Sequence, residues 1–216
     1  MNYVTCFGLA AFDQKQEFSY WREAAQTGAP LNAPLREIVR VARFCPALLP
    51  VREKKPGQRE FIVFVVENSG VFSALLDEMT ADWKVPPLPP LVCLQGQLKL
   101  AAWTLLDRLV DSGALLYYAG DFDPEGLQIA EKLLLRYPGR VQLWRMSPAD
   151  YWQANPSQTI EPLRLAKLQS IQEKALAVLA KTIADRKLAA YQETLLDKLL
   201  ADIKAAELWG KSGNKC

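Results

Sequence analysis

Two aspartates, Asp121 and Asp123, end an apolar run in LLYYAGDFDPEG, residues 115–126. Along an extended strand, positions i and i+2 face the same side, so both carboxylates are presented together where the strand stops. A third acid, Glu67, closes the earlier run FIVFVVE (61–67), and Glu125 follows one residue after Pro124. Two carboxylates about 4–5 Å apart repel by roughly 3–4 kcal/mol at an effective dielectric near 20, so grouping three of them calls for a cation. Oxygen-only ligands with waters retained suit Mg²⁺, and Mn²⁺ tolerates them. Such an ion can clamp a phosphate and lower the pKa of an attacking water.

Each acid also has a structural use. Asp123 before Pro124 has the makings of an N-cap with proline at N1, and Glu125 in the first turn complements the helix dipole. Glu67 precedes Asn68-Ser69-Gly70, a strand-to-helix turn in which Ser69 can cap. Asp121 lies too early to cap and is the hardest to explain structurally.

Histidine is absent. Imidazole bases, Ser-His-Asp or Cys-His nucleophiles and histidine-ligated metals are therefore excluded within the chain. The four cysteines, Cys6, Cys45, Cys93 and Cys216, lack CxxC spacing, which argues against zinc and against a disulfide framework. At 216 residues and 50% hydrophobic the chain can bury a substantial core. No apolar stretch approaches the roughly 20 residues of a membrane span, and the start lacks a signal-peptide pattern, so a cytoplasmic protein with no membrane partner is expected.

Charge is uneven. Arg36 to Arg59 holds seven basic residues against two acidic ones, about +5 in a chain of net +2, which leaves about −3 elsewhere. PLREIVRVARF within it reads as a helix with Arg36, Arg40 and Arg43 on one stripe. That stripe is either a solvated face or, through Arg40 and Arg43, a phosphate-contacting one.

Apolar strands alternate with helices from residue 60 onward. FIVFVVE leads to a helix over 70–79, LVCLQ (91–95) to a helix through Leu98 and Leu109, ALLYYAGD (114–121) to a helix over 124–136, and VQLW (141–144) is a fourth strand. Unalternated strands of this kind predict an α/β fold with a four-stranded, mainly parallel sheet flanked by helices. Ligands gather beyond the carboxyl ends of such strands. Glu67, Gln95-Gly96 and the two aspartates all fall there, and Arg145 follows the fourth strand as a candidate phosphate contact. Residues 1–59 read as an N-terminal helical and basic segment, a remnant of a preceding domain; 60–152 as the α/β domain; 153–216 as a helical extension. In that extension, helices over 162–188 and 189–208 form an α-hairpin.

A glutamate after one strand and a DxD after a later one resemble the Toprim fold of topoisomerases, primases and old-family nucleases. DFDPEGLQIA resembles the DxDPxGxxI segment of the topoisomerase VI A subunit and Spo11 group. VVENSGVFSAL, LVCLQGQLKLA, YYAGDFDPEGLQIA and LWRM, in this order, resemble the C-terminal domain of an uncharacterised bacterial family related to the nuclease subunit of the Wadjet plasmid-defence system. The likeness covers about residues 60–152 well, and AAYQETLLDKLLADI more loosely. Members often carry proline at the position of Ser69 and histidine at Ala119, departures that remove no carboxylate.

The resemblance implies a Toprim-like domain that cuts DNA with Mg²⁺ or Mn²⁺, Glu67 acting as acid/base or ligand while Asp121 and Asp123, with Glu125 beside them, hold the ion. Gln95, Gly96, Arg145, Arg40 and Arg43 are the expected substrate contacts. Expected partners are DNA, further protein subunits or a missing N-terminal domain, and a second copy in a homodimer. The alternatives are a non-catalytic DNA- or protein-binding module and topoisomerase-like strand breakage with a tyrosine supplied elsewhere. A haloacid-dehalogenase-type phosphatase is disfavoured because two βα units precede the DxD.

Overall fold

The computed structural model describes residues 2–49, 52–55, 58–81 and 88–207. Pro56 and Gly57, residues 85–87 of the proline-rich stretch, Cys216 and the expected helix end at Leu208 lie outside them. In chain order the elements are β1 (Tyr3–Phe7), β2 (Leu9–Phe12), α1 (Ser19–Gln26), β3 (Leu31–Pro34), α2 (Leu35–Ile38), β4 (Arg43–Pro46), β5 (Arg52–Lys55) and β6 (Gln58–Val66). There follow α3 (Ser69–Thr80), β7 (Leu91–Cys93), α4 (Leu100–Asp111), β8 (Ala114–Ala119), α5 (Pro124–Arg136), β9 (Val141–Leu143) and α6 (Pro148–Gln153). The chain ends with β10 (Gln158–Thr159), α7 (Pro162–Leu165) running into a 3-10 turn at Ala166–Ser170, α8 (Lys174–Arg186), β11 (Leu188–Ala189), a second 3-10 turn at Gln192–Leu195, and α9 (Leu196–Glu207).

The central sheet runs β3-β1-β7-β6-β8-β9, with β5 paired to β6. β7, β6, β8 and β9 are mutually parallel, and β1, β3 and β5 add antiparallel edges. The fold is thus mixed α/β around a mainly parallel sheet flanked by helices. β6 is central because its run from Phe61 to Val66 is apolar on both faces: Phe61, Val63, Phe64, Val65 and Val66 are all buried. The chain leaves β6 for β7 on one side and then crosses to β8 on the other, so the carboxyl ends of these strands surround a topological switch point. α3 packs on α9, α5 on α8, and α4 on the separate β2–β4 ribbon.

The N-terminal segment departs from the helical expectation. The predicted helix over PLREIVRVARF stops at Ile38, and Arg43 belongs to β4. β-branched Val39 and Val41 weaken the helix, Pro46 favours extended backbone before it, and the Ala42 N–H already donates to Phe12 O at 2.7 Å across the ribbon. Nor is this segment detached. β1 pairs with β7 in the main sheet, and Trp21 of α1 is buried edge-on to Phe44 at 5.3 Å.

The C-terminal hairpin is likewise interrupted. Lys187 takes a left-handed conformation (φ 56°) that ends α8, β11 pairs with β10, and the chain re-enters helix only at Leu196. Cys6, Cys45 and Cys93 are buried in the core. No helix among the described residues is long and apolar enough to cross a membrane.

Candidate functional site at the carboxyl edge of the sheet

Glu67 follows β6 directly and is 7% exposed. Its Oε2 accepts the Tyr118 hydroxyl (3.3 Å) and the Asp121 N–H (3.2 Å), which leaves Oε1 without a donor among the described residues. Tyr118 is fully buried within β8, so a strand residue and the turn after it fix one oxygen of Glu67. Burial first, and then the charges of Asp121 and Asp123, push the Glu67 carboxyl up to about 7.

Asp121 is held from far along the chain. Its Oδ1 accepts the main-chain N–H of Gln192 at 3.1 Å, while the neighbouring Phe122 exchanges main-chain hydrogen bonds with Ala190 at 2.9 and 3.3 Å. Burial, outweighing the Gln192 N–H, and then the Glu193 and Asp123 charges raise Asp121 to about 6. Neither Glu67 nor Asp121 has a basic partner among the described residues.

Asp123 is differently placed. Its Oδ1 caps α5 by accepting the Gly126 N–H at 2.8 Å, with Pro124 at the first helical position. Its Oδ2 takes Arg164 Nη2 at 2.5 Å. Burial nevertheless holds its carboxyl above the usual range. Arg164 also grips Glu125 Oε2 through Nε and Nη2 (3.0 and 2.6 Å), and Lys167 takes Glu125 Oε1 at 2.7 Å. Partial burial opposes ionisation of Glu125, but these hydrogen bonds and charges outweigh it and bring the group down to about 2.

Two glycines make the approach feasible. A Cβ on Gly126 would lie 2.2 Å from the Asp121 carbonyl oxygen, and one on Gly120 would lie 2.3 Å from the Tyr118 hydroxyl and 3.0 Å from Glu67 Oε2. Gln95 and Gly96, at φ 54° and 73°, form a left-handed turn after β7. The Gly96 N–H donates to Glu67 O at 3.1 Å, and Gln95 Nε2 donates to Thr5 Oγ1 at 2.9 Å. Tyr3, Glu67, Ser69, Gln95, Gly96 and Asp121 border an open cavity of about 440 Å³.

Of the residues expected to contact substrate, Gln95 and Gly96 therefore sit beside Glu67 and Asp121. Arg145 instead makes two hydrogen bonds to Asp202, both at 2.6 Å, shared with Trp144 Nε1 at 2.9 Å. Arg40 pairs with Glu37 at 3.5 Å and stacks over Phe18, and Arg43 lies 4.1 Å over the Phe12 ring. The cap of α3 is Asn68, whose Oδ1 accepts the Gly70 N–H at 2.7 Å while its Nδ2 donates to Glu193 at 2.6 Å; Ser69 is the first helical residue.

Sequence reading missed Arg164 and Gln192, which lie 41 residues beyond Asp123 and 71 beyond Asp121. Neither carries a local signal. Gln192 is 1% exposed, its Oε1 takes the Asn68 N–H at 3.4 Å, and its Nε2 has no partner among the described residues.

The donor set suits a hard divalent cation in part. Glu67 and Asp121 offer uncompensated carboxylate oxygens, whereas Asp123 offers one only if Arg164 lets go. Consistent with this, no group of three or more His, Cys, Asp or Glu side chains among the described residues is arranged to hold an ion as it stands.

A search of curated proteins gives no match. A family model described as "Protein of unknown function C-terminus (DUF2399)" matches residues 34–203, a span that includes Glu67, Asp121, Asp123, Arg164 and Gln192. With the match covering most of its length, the chain belongs to that family.

Proposed function

We propose that this chain is a Toprim-type phosphodiesterase domain acting on DNA with Mg²⁺ or Mn²⁺, within a defence or DNA-processing assembly that supplies further subunits. The observation that carries the reading is the meeting of Glu67 and Asp121. They are two carboxylates from separate βα units, with raised pKa values and no basic partner among the described residues, at the rim of an open cavity. Their repulsion favours a ligand that brings positive charge. A dication held by Glu67 and Asp121, and by Asp123 once released from Arg164, would supply charge neutralisation at a phosphodiester.

The protein's own contribution would be protonic and positional. A carboxyl titrating near 7 is matched to acid/base work at neutral pH. In Glu67 the proton would reside on Oε1, because Oε2 already accepts two donors. The Gln192 N–H keeps Asp121 oriented, and Gln95 with Gly96 gives the cavity a polar wall.

The testing experiment is cleavage of supercoiled plasmid in Mg²⁺ or Mn²⁺ by wild type and by Asp121→Asn. Loss of nicking in the variant supports the reading; equal nicking by both proteins removes it.

The hold of Arg164 on Asp123 favours a second reading, a non-catalytic module in which Arg164 takes the cation's place. Calorimetry decides between the two: no divalent binding alongside intact DNA or protein binding selects the module. Strand breakage by a covalent tyrosine would require an adduct, and Tyr3, which lines the cavity, is the residue to check by trapping with wild type and Tyr3→Phe.

A further inference from the structure

A second cavity, of about 520 Å³, lies among Asp13, Lys15, Val39, Arg40 and Arg108. It forms where the turn after β2 and the turn after α2 meet the last helical turn of α4. Ser112, which caps α4, accepts the Phe44 N–H at 3.0 Å, so this cavity sits at the end of the sheet where β8 begins. Asp121 stands beyond the other end of β8, a strand of six residues or about 20 Å at 3.3 Å per residue. The two cavities are therefore separate, and opposite in charge.

Three cations converge on this one. Lys15 and Arg108 have no carboxylate within ion-pair distance among the described residues. Arg40 has Glu37 only at 3.5 Å and is held by stacking, its guanidinium 5.3 Å from the Phe18 ring centroid. Asp13, the acid in the lining, uses its Oδ1 to accept the N–H groups of Lys15 and Gln16 at 2.7 and 2.8 Å, which shapes the turn that presents Lys15. Val39, left 53% exposed, gives the bowl an apolar wall.

Lys15, Arg40 and Arg108 outnumber the neighbouring carboxylates of Asp13 and Glu37, so the concavity keeps a positive excess, and guanidinium with ammonium donors suits phosphate oxygens. We infer that this bowl is a phosphate-binding site, occupied by the phosphodiester backbone of a nucleic acid or by the phosphate of a free ligand. It is independent of the reaction proposed at the carboxylate edge, and failure of that proposal leaves it standing.

The test uses the full chain, a fluorescent duplex of about 20 base pairs and inorganic tripolyphosphate at about 50 mM salt, with Arg40→Glu/Arg108→Glu as the variant. Both side chains are at the surface, and far-UV circular dichroism together with the melting temperature checks that the fold is kept. The double reversal should weaken whichever probe binds by at least about tenfold. If the duplex is that probe, the log–log salt slope should also flatten by about two. Loss confined to the duplex identifies a nucleic-acid backbone; loss confined to tripolyphosphate identifies a free ligand. Equal binding of both probes by wild type and variant overturns the site, as does failure of both probes to bind the wild type.

Discussion

The main-chain N–H of Asp121 donates to Glu67 Oε2 at 3.2 Å, so the two acids are tied by a hydrogen bond while their charges repel. A folded-state pKa of about 7 lies above the ordinary value of 4.5 for Glu67, and about 6 lies above 3.8 for Asp121. Between each pair of values the folded state binds more protons than the unfolded one, so stability falls as pH rises through the window. The loss begins near pH 4, is complete just above pH 7, and is on the order of 3 kcal/mol for each of the two groups. Metal-free protein should therefore melt several degrees higher at pH 5 than at pH 8. Glu67→Gln should flatten that dependence and raise the melting temperature at pH 8. A variant that melts lower than wild type at pH 8 would show that the ionised carboxylate is not strained.

Gly126 has no room for a side chain. A Cβ there would fall 2.2 Å from a backbone oxygen, that of Asp121, which cannot rotate away. Gly126→Ala should cost about 1–3 kcal/mol or more in urea unfolding, and survivors should show weaker Mn²⁺ binding because the Asp121 turn has moved. An unchanged urea midpoint would refute the close approach.

The strands that carry the site were legible because burial on both faces leaves a plain mark: FIVFVVE and ALLYYA have no room for polar alternation, and both lie in the parallel sheet. The α5 start was legible too, since Asp123-Pro124 has a cap's chemistry within four residues. Long-range contacts were not. Nothing in EPLRLAK announces that Arg164 turns back onto Asp123, and nothing in YQET announces that Gln192 reaches Asp121. The N-terminal strands failed for another reason. Arg36, Arg40 and Arg43 have helical spacing, but pairing between β2 and β4 outweighs that local periodicity.

Arg145, expected as a phosphate contact, is bound by Asp202 of α9 through two hydrogen bonds of 2.6 Å, an arrangement that joins the end of the sheet to the last helix. Asp202→Asn should lower stability by about 1–2 kcal/mol, since the pair is partly exposed and solvent screens it. Duplex affinity should stay at the wild-type value. A selective fall in DNA affinity with unchanged unfolding would instead assign Arg145 to substrate.

Arg164 is the cation that holds Asp123. It shares its guanidinium between Asp123 Oδ2 and Glu125 Oε2, and a dication approaching Asp123 must compete with it. Arg164→Gln keeps a donor but removes the charge, so it should tighten Mn²⁺ binding measured calorimetrically at pH 8, by a few-fold to tenfold, the range of about 1 kcal/mol expected for a partly exposed pair. Mn²⁺ should then raise the melting temperature more in the variant than in wild type, because a ligand that binds only the folded state stabilises it by an amount that grows with the logarithm of its affinity. Weaker binding in Arg164→Gln would reverse the assignment, making Arg164 the group that aims Asp123 at the ion. Asp123→Asn separates these cases: it should abolish the effect of Arg164→Gln if the two residues act through one another, and leave it intact if Arg164 acts through Glu125 alone.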